Sequence, residues 1–448
     1  MWAAIAGVPE RVASETIPDP CTPALASPGL EAALAALSPN SPMTIEALVA
    51  ALRCPDCDGA FAYEAVAQED PGLGPCGLLR CACATYPVVD GIPVLRQDAA
   101  VRRGTIADGF NSAVALVATG SGHEALVDML VAGAGRATVG TSELRRRRIR
   151  KMLARRDELS AADCIAEFCR QGQLPRRAFE AAFFRFGSPR HLATLNLASV
   201  VDTDAPVLVV GNGFGHVAYS LSAKGRTVIG LDWSVGRAWT ARHVIAPEAS
   251  VVCADPAGPL PIADGAAGVV LAQGASPYGG PWVGDSLAEL QRCASGVVLL
   301  SAIEPARASV LDDRLSRVQT EADLLRRYLA EQRPDLSSSS TDVAGARRLY
   351  YAVADDAEVA GELFRDHGTH EEWPHMSGTP SLNPLYQLNG EEYALRFPSA
   401  EFAAAFQGRL NYLPDVANLT ATPAEELVAR AVLVGMPERY VKRDVYAA

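Results

Sequence analysis

Short apolar runs alternate with segments of helical period through residues 205–303, and this alternation predicts a parallel sheet with crossover helices. Pro206–Val210 (PVLVV), Thr227–Leu231 (TVIGL), Ser250–Cys253 and Gly268–Ala272 have almost no polar face, as expected of strands covered on both sides. A helix is expected between the first two, over His216–Lys224. Upstream, residues 105–200 read mainly as helices, and residues 46–97 as a compact unit of cysteines and turns ending in a strand-like run. Residues 1–45, rich in Ala, Pro and Ser, read as a flexible leader with one short helix near Leu30–Leu37. Ala306–Glu331 keeps a helical period, Ser337–Ser340 reads as a loop, and Arg347–Ala354 (RRLYYAVA) predicts a strand that closes the sheet. The expected organisation is therefore leader (1–45), cysteine unit (46–97), helical segment (105–200), sheet domain (201–355) and a C-terminal α+β unit (356–448). The last carries a strand at Glu392–Phe397. No internal repeat is present.

Between the first two strands lies Gly211-Asn212-Gly213-Phe214-Gly215, and the second strand ends at Asp232, followed by Trp233. Glycines let the chain turn tightly and bring its backbone against a ligand, and the next helix offers free N–H groups. An acid at the end of the second strand is placed to accept from ribose hydroxyls. Dinucleotide sites use a similar turn but want Gly or Ala at the sixth position of G-x-G-x-x-G; here it is His216, and the glycines run G-x-G-x-G. The third strand leads into Ala254-Asp255-Pro256 and then Leu260-Pro261-Ile262-Ala263-Asp264-Gly265, and the fourth ends at Gln273-Gly274.

These four elements in this order resemble the class I S-adenosylmethionine-dependent methyltransferases. The resemblance implies an α/β fold with a Rossmann-like sheet and S-adenosylmethionine as cofactor. It places the Gly211–Gly215 turn, with Asn212, Gly213 and Phe214, along the methionine side, and Asp232 on the ribose with Trp233 beside it. Asp255 would accept from the adenine amino group next to Pro256, and Gln273 would lie near the methionine or the acceptor. The chain departs from the family at Val209, where an acid often stands two residues before the first glycine, and at Gly268, where another often precedes the fourth strand. A methyltransferase-like adaptor without catalysis is therefore the alternative.

Five of the ten cysteines fall between Cys54 and Cys83. Paired spacing without a secretory signal favours a metal over disulfides. Cys54-Pro55-Asp56-Cys57 and Cys81-Ala82-Cys83 form two halves of a closed four-thiolate set for structural zinc, with Cys76 as an alternative fourth ligand. The following Tyr86–Leu95 (YPVVDGIPVL) resembles the small zinc-ribbon modules that accompany methyltransferases, including free-standing methyltransferase activators.

The net charge of −12 disfavours general affinity for nucleic acid, and no apolar stretch is long enough for a membrane span, so a cytoplasmic address is expected. Arg145–Arg156 carries eight basic residues with Ile149, Met152 and Leu153 at helical spacing, and reads first as a solvated face. His367, His370 and His375 crowd one loop that reads as polar, or as a lid over the acceptor. Phe183–Arg190 reads as a cover for the cofactor or as core. Walker and G-x-S-x-G motifs are absent, which removes phosphoryl transfer and serine hydrolysis. A small-molecule acceptor fits best, with RNA or protein as the rival.

Overall fold

The computed structural model describes residues 42–102, 111–132, 139–171, 176–188, 203–256, 258–273, 285–303, 348–353, 378–390, 392–400 and 413–440, with His191, Thr194, Leu195, Ala198, Phe402 and Ala403 besides. The expected helices at Leu30–Leu37 and Ala306–Glu331, the Ser337–Ser340 loop and the histidine loop lie outside the described residues.

A short helix, α1 (Ile45–Ala50), precedes a small antiparallel sheet of β1 (Ala62–Ala65), β2 (Gly77–Arg80), β3 (Ala84–Val89) and β4 (Ile92–Pro93). A fifth strand, β5 (Val101–Arg102), pairs with β3, so this sheet runs a few residues past the boundary read from composition. The helices α2 (Asn111–Ala118), α3 (Gly122–Ala132), α4 (Val139–Leu153), α5 (Ala161–Arg170) and α6 (Arg176–Phe183) follow. Ser160 starts α5 with a full capping box, its hydroxyl accepting from Asp163 N–H while the Asp163 carboxylate accepts from Ser160 N–H. The basic helix α4 buries Ile149, Met152 and Leu153. Arg146 lies 2.8 Å from Asp128 and Arg150 lies 2.9 Å from Glu124, both acids on α3. The outcome agrees with the solvated-face reading, since neighbouring acids neutralise part of the run.

The large sheet consists of β6 (Val207–Val210), β7 (Val228–Asp232), β8 (Ser250–Cys253), β9 (Ala267–Gln273), β10 (Ala294–Ile303) and β11 (Arg348–Val353). It is parallel throughout and ordered β11-β10-β9-β6-β7-β8. The strand foreseen at 347–354 thus does close one edge. This is a Rossmann-like α/β sheet, whose order reverses between β6 and β9 and opens a crevice at the carboxyl ends. Among the described residues, three helices join its strands: α7 (His216–Ser222), α8 (Val235–Thr240), continued by a π turn over Ala241–Ile245, and α9 (Asp285–Cys293). Alternate strand residues enter two different cores. Val207 and Val209 face the helical and C-terminal segments, whereas Leu208, Val210, Ile229 and Leu231 face α1, α9 and part of the cysteine unit.

The cysteine unit is joined to β8. Val94 bridges in parallel to Cys253, Leu95 N–H donates to Cys253 O at 2.7 Å, and Leu52 bridges to Ile262. Past the sheet come β12 (Thr379–Leu382), β13 (Tyr386–Asn389), β14 (Glu392–Leu395), β15 (Val416–Ala417), α10 (Ala424–Ala429) and β16 (Leu433–Met436). β12 pairs with β16, while β13, β14 and β15 form a separate meander. Tyr440 then returns to the sheet domain, its hydroxyl donating to Phe183 O at 2.7 Å and lying 2.9 Å from His216 Nε2. Phe183 and Phe186 are buried against Tyr440, which makes the described part of 183–190 core packing.

A buried carboxylate locks the cysteine unit to the sheet domain. Asp90, held at φ 54°, accepts from Gly74 N–H at 2.7 Å and from Trp239 Nε1 at 3.0 Å. His243 Nε2 lies 3.0 Å from the same carboxylate, off the line of a good hydrogen bond, and Arg156 approaches to 4.0 Å. Burial opposes its ionisation, but His243, Gly74 N–H and Trp239 outweigh it and hold the carboxyl down to about 2. A depressed carboxyl adds stability above its unfolded value and loses it as pH falls through the folded one. Asp90→Ala should cost about 3 kcal/mol in urea unfolding at neutral pH, because the buried Trp239 N–H and the part-buried Gly74 N–H lose their acceptor and Arg156 loses a nearby counter-charge. That difference should hold down to about pH 4 and shrink toward pH 2.

Candidate functional site

The Gly211–Gly215 turn leaves the carboxyl end of β6 with all three glycines left-handed, at φ 75°, 58° and 90°. Gly211 and Asn212 donate their N–H groups to Leu231 O, both at 3.0 Å, which binds the turn to β7. Each glycine has its own task. A Cβ on Gly215 would come within 2.8 Å of the Ala241 Cβ, so this glycine permits α7 to pack against the π turn. A Cβ on Gly213 meets nothing within 4 Å and would point into open space.

Asp232 ends β7 and is almost fully buried. Its Oδ2 accepts from Gly213 N–H and its Oδ1 from Ser234 N–H, both at 2.9 Å. Burial pushes its carboxyl up, opposed by Arg237 and by these N–H donors. Asp232 therefore holds the glycine turn in shape, and with about four lone-pair sites its carboxylate can still accept from a ligand. The Arg237 guanidinium lies 3.8 Å from Asp232 Oδ2 and 5.6 Å over the Trp233 ring, linking the two.

Not every turn residue faces the crevice. Phe214 is buried in the core. The Asn212 amide folds back over Gly230 of β7, where a Cβ would collide with it, and among the described residues its amide atoms have no hydrogen-bond partner. Val209 is fully buried in the core, so position 209 offers the turn no carboxylate. Pro256 is buried and Asp255 exposed. The backbone of Gln273 ends β9 on the crevice side, beside Ser301 of β10; its side chain and Gly274 lie outside the described residues.

Beside the turn, a cavity of about 300 Å³ opens at the ends of β7 and β8, with Trp233, Ala254 and Asp255 on the sheet side. Its other wall comes from Pro55, Leu95, Arg96 and Asp98. Sequence reasoning missed these four, because only the pairing of Leu95 with Cys253 carries the cysteine unit across β8.

The second candidate centre is sulfur. The Sγ atoms of Cys54, Cys57, Cys81 and Cys83 all lie within 4.8 Å of one another, and Cys83 is 3.5 Å from both Cys54 and Cys81. Four thiolates at about 2.3 Å from one zinc ion stand about 3.8 Å apart, so the set fits a tetrahedral ion. Two turns create it. Asp58, at φ 55°, donates its N–H to Cys54 O at 2.8 Å, and at the β2–β3 tip Ala84 N–H donates to Cys81 Sγ at 3.3 Å. Gly59 N–H, followed by Cys83, holds the exposed Cys57 thiol down to about 7, whereas burial pushes Cys54 up. Tyr86 donates to Asp56 at 2.9 Å and lies 3.8 Å from Cys54 Sγ, a supporting contact behind the ligands. Cys76 sits elsewhere, its sulfur accepting from Asp90 N–H at 3.4 Å.

The sheet order, the glycine turn after β6 and the acid that ends β7 are those of a Rossmann-like α/β fold. The chain matches no family model and no curated protein. Similar solved structures include a presumed S-adenosyl-L-methionine-dependent methyltransferase from Methanococcus maripaludis, 14% identical over 39% of this chain and 78% of that one, with a TM-score of 0.24. Another is a SAM-dependent methyltransferase from Thiobacillus denitrificans in complex with S-adenosyl-L-homocysteine, 23% identical over 35% and 69%, TM-score 0.24. A third is the plantazolicin methyltransferase BpumL in complex with SAH, 17% identical over 42% and 79%, TM-score 0.23. At such scores these likenesses carry no weight for activity. Among the described residues, no helix is long and apolar enough to cross a membrane.

If the four thiols hold zinc, Cys57→Ser should lower bound metal from one equivalent to near zero by elemental analysis. It should also reduce the thermal stability of the full chain, since metal binding and folding of such units are linked.

Proposed function

We propose that this chain is an S-adenosylmethionine-dependent methyltransferase acting on a small-molecule acceptor, with structural zinc in the four-cysteine cluster. The observation that carries the reading is the open face of Gly213, in a turn tied to Asp232 beside a cavity bounded by Trp233 and Asp255. The same sheet order serves dinucleotides, so the turn has to discriminate. A glycine in the dinucleotide fingerprint would occupy position 216. Here His216 is buried, pushed down to about 3 by its burial and by Arg185, and close to the Tyr440 hydroxyl. That position serves packing.

Bound S-adenosylmethionine would supply a methyl group already activated on sulfonium. The chain's part is binding, orientation and exclusion of water. Backbone around Gly211 and Gly213 would line the methionine end, and Asp232 would use its remaining lone pairs on the ribose. Trp233 would pack on the nucleoside, Asp255 would accept from the adenine amino group, and Gln273 would reach toward the transferred group. A small acceptor is favoured over RNA by the net charge of −12 and by the pairing of Arg146 and Arg150 with acids of the same chain. The missing acid at Val209 supports the adaptor as the second reading.

Calorimetric titration of the full chain with S-adenosylhomocysteine, with NADH as control, tests the assignment. Micromolar binding of the former alone is expected; binding of NADH alone would make this a dinucleotide site, and binding of neither would favour the adaptor. Asp232→Ala is a blunt probe, because it also releases the turn. Gly213→Ala is cleaner: the left-handed backbone costs about 1–2 kcal/mol, while the new methyl enters the open space. Affinity for S-adenosylhomocysteine should fall by at least about tenfold with a drop in Tm of only a few degrees. Unchanged affinity would remove the turn from the site.

A further inference from the structure

The cavity at the ends of β7 and β8 is shared between the sheet and the cysteine unit, and the cysteine-unit side carries Arg96 and Asp98, hydrogen-bonded to each other. We propose that Arg96 and Asp98 are specificity-determining residues for the purine of the cofactor, an inference that rests on the methyltransferase reading above. Both line the cavity opposite Trp233 and Asp255.

Their placement is fixed from three directions. Leu95 N–H is tied to Cys253 O at 2.7 Å, so the backbone entering the wall is an extension of the sheet. The Arg96 guanidinium donates to Trp233 O at 2.8 Å and forks onto Asp98, with Nε 2.9 Å from Oδ1 and its terminal nitrogen 2.6 Å from Oδ2. A planar fork of this kind holds a carboxylate in one orientation. Pro55, on the same wall, sits in the turn closed by Asp58 N–H on Cys54 O and by Cys54 N–H on Gly59 O.

The chemistry of the wall selects among nucleosides. Asp98 and Asp255 bring carboxylate oxygens to one cavity, which they share with Arg96, whose Nε and both terminal nitrogens each donate once to Asp98 or Trp233. Two carboxylates suit the edge of a base that donates, as the exocyclic amino group of adenine does. A 6-oxo purine would set a carbonyl oxygen against these carboxylates, acceptor to acceptor, a mismatch that discriminates. At about 300 Å³ the cavity is the size of the smaller ligand pockets, suited to one end of the cofactor.

The test compares S-adenosylhomocysteine with S-inosylhomocysteine by calorimetric titration of the full chain and of Asp98→Asn. Asp98 is half-exposed, so this isosteric change should leave the melting temperature in place. The wild type should prefer the adenosyl ligand by more than about tenfold, and Asp98→Asn should narrow that preference by about tenfold, because an amide can donate to a 6-oxo oxygen. Arg96→Lys, which keeps the charge and loses the fork, should narrow it part of the way. An unchanged preference in Asp98→Asn, or equal loss of both ligands, overturns the proposal while wild-type binding of S-adenosylhomocysteine leaves the methyltransferase reading standing. A wild type that binds neither ligand overturns both.

Discussion

The parallel sheet ends at β8, and an open edge there would present unpaired backbone groups to solvent. The pairing of Val94 and Leu95 with Cys253 covers part of that edge with the chain's own N-terminal unit. Much of the architecture depends on this contact. It brings Leu79, Tyr86 and Val88 into the core beneath Leu208 and Ile229, and sends Leu78, Val89 and Ile92 into the core on the opposite face. The small sheet therefore straddles the edge of the large one, and neither hydrophobic face is complete without it.

Two buried acids stabilise this arrangement by similar physics. Asp90 and Asp232 each lie at a sharp bend, each is nearly inaccessible, and each accepts from part-buried backbone N–H, Gly74 on Asp90 and Gly213 and Ser234 on Asp232. Asp90 ties the cysteine unit to α8 and the π turn, and Asp232 ties the glycine turn to β7. In a low-dielectric setting such carboxylates persist only when hydrogen-bonded, which makes these two bends rigid. A rigid turn beside a rigid wall is what a cofactor pocket needs, because little ordering is then left to the moment of binding.

Much of the fold was legible because periodicity is local. Fully apolar runs of four to five residues signal strands covered on both faces, and Val207–Val210 and Val228–Asp232 have all their residues buried. The glycine turn was legible because left-handed backbone selects glycine. The paired cysteines were legible too, since thiolates converging on one point impose short spacing. Other features were hidden. Phe214 and Asn212 stand in the turn by sequence, yet one side chain packs in the core and the other covers Gly230, a distinction set by φ and ψ at their neighbours. Nothing in the spacing of Arg96 and Asp98 marks them as cavity residues, because the sheet side of the cavity, from Trp233 on, is more than a hundred positions away.

The sequence by itself determined the parallel sheet, the turn that opens its crevice, and the two short-spaced cysteine pairs, since each follows from the stereochemistry of neighbouring residues. Only the tertiary structure decided that the cysteine unit extends the sheet edge, that Asp90 meets Trp239 and His243, and that the cavity takes half of its wall from residues 55–98. Those outcomes depend on which apolar faces bury against each other. Burial is non-directional and set by the whole molecule, so no local pattern encodes it.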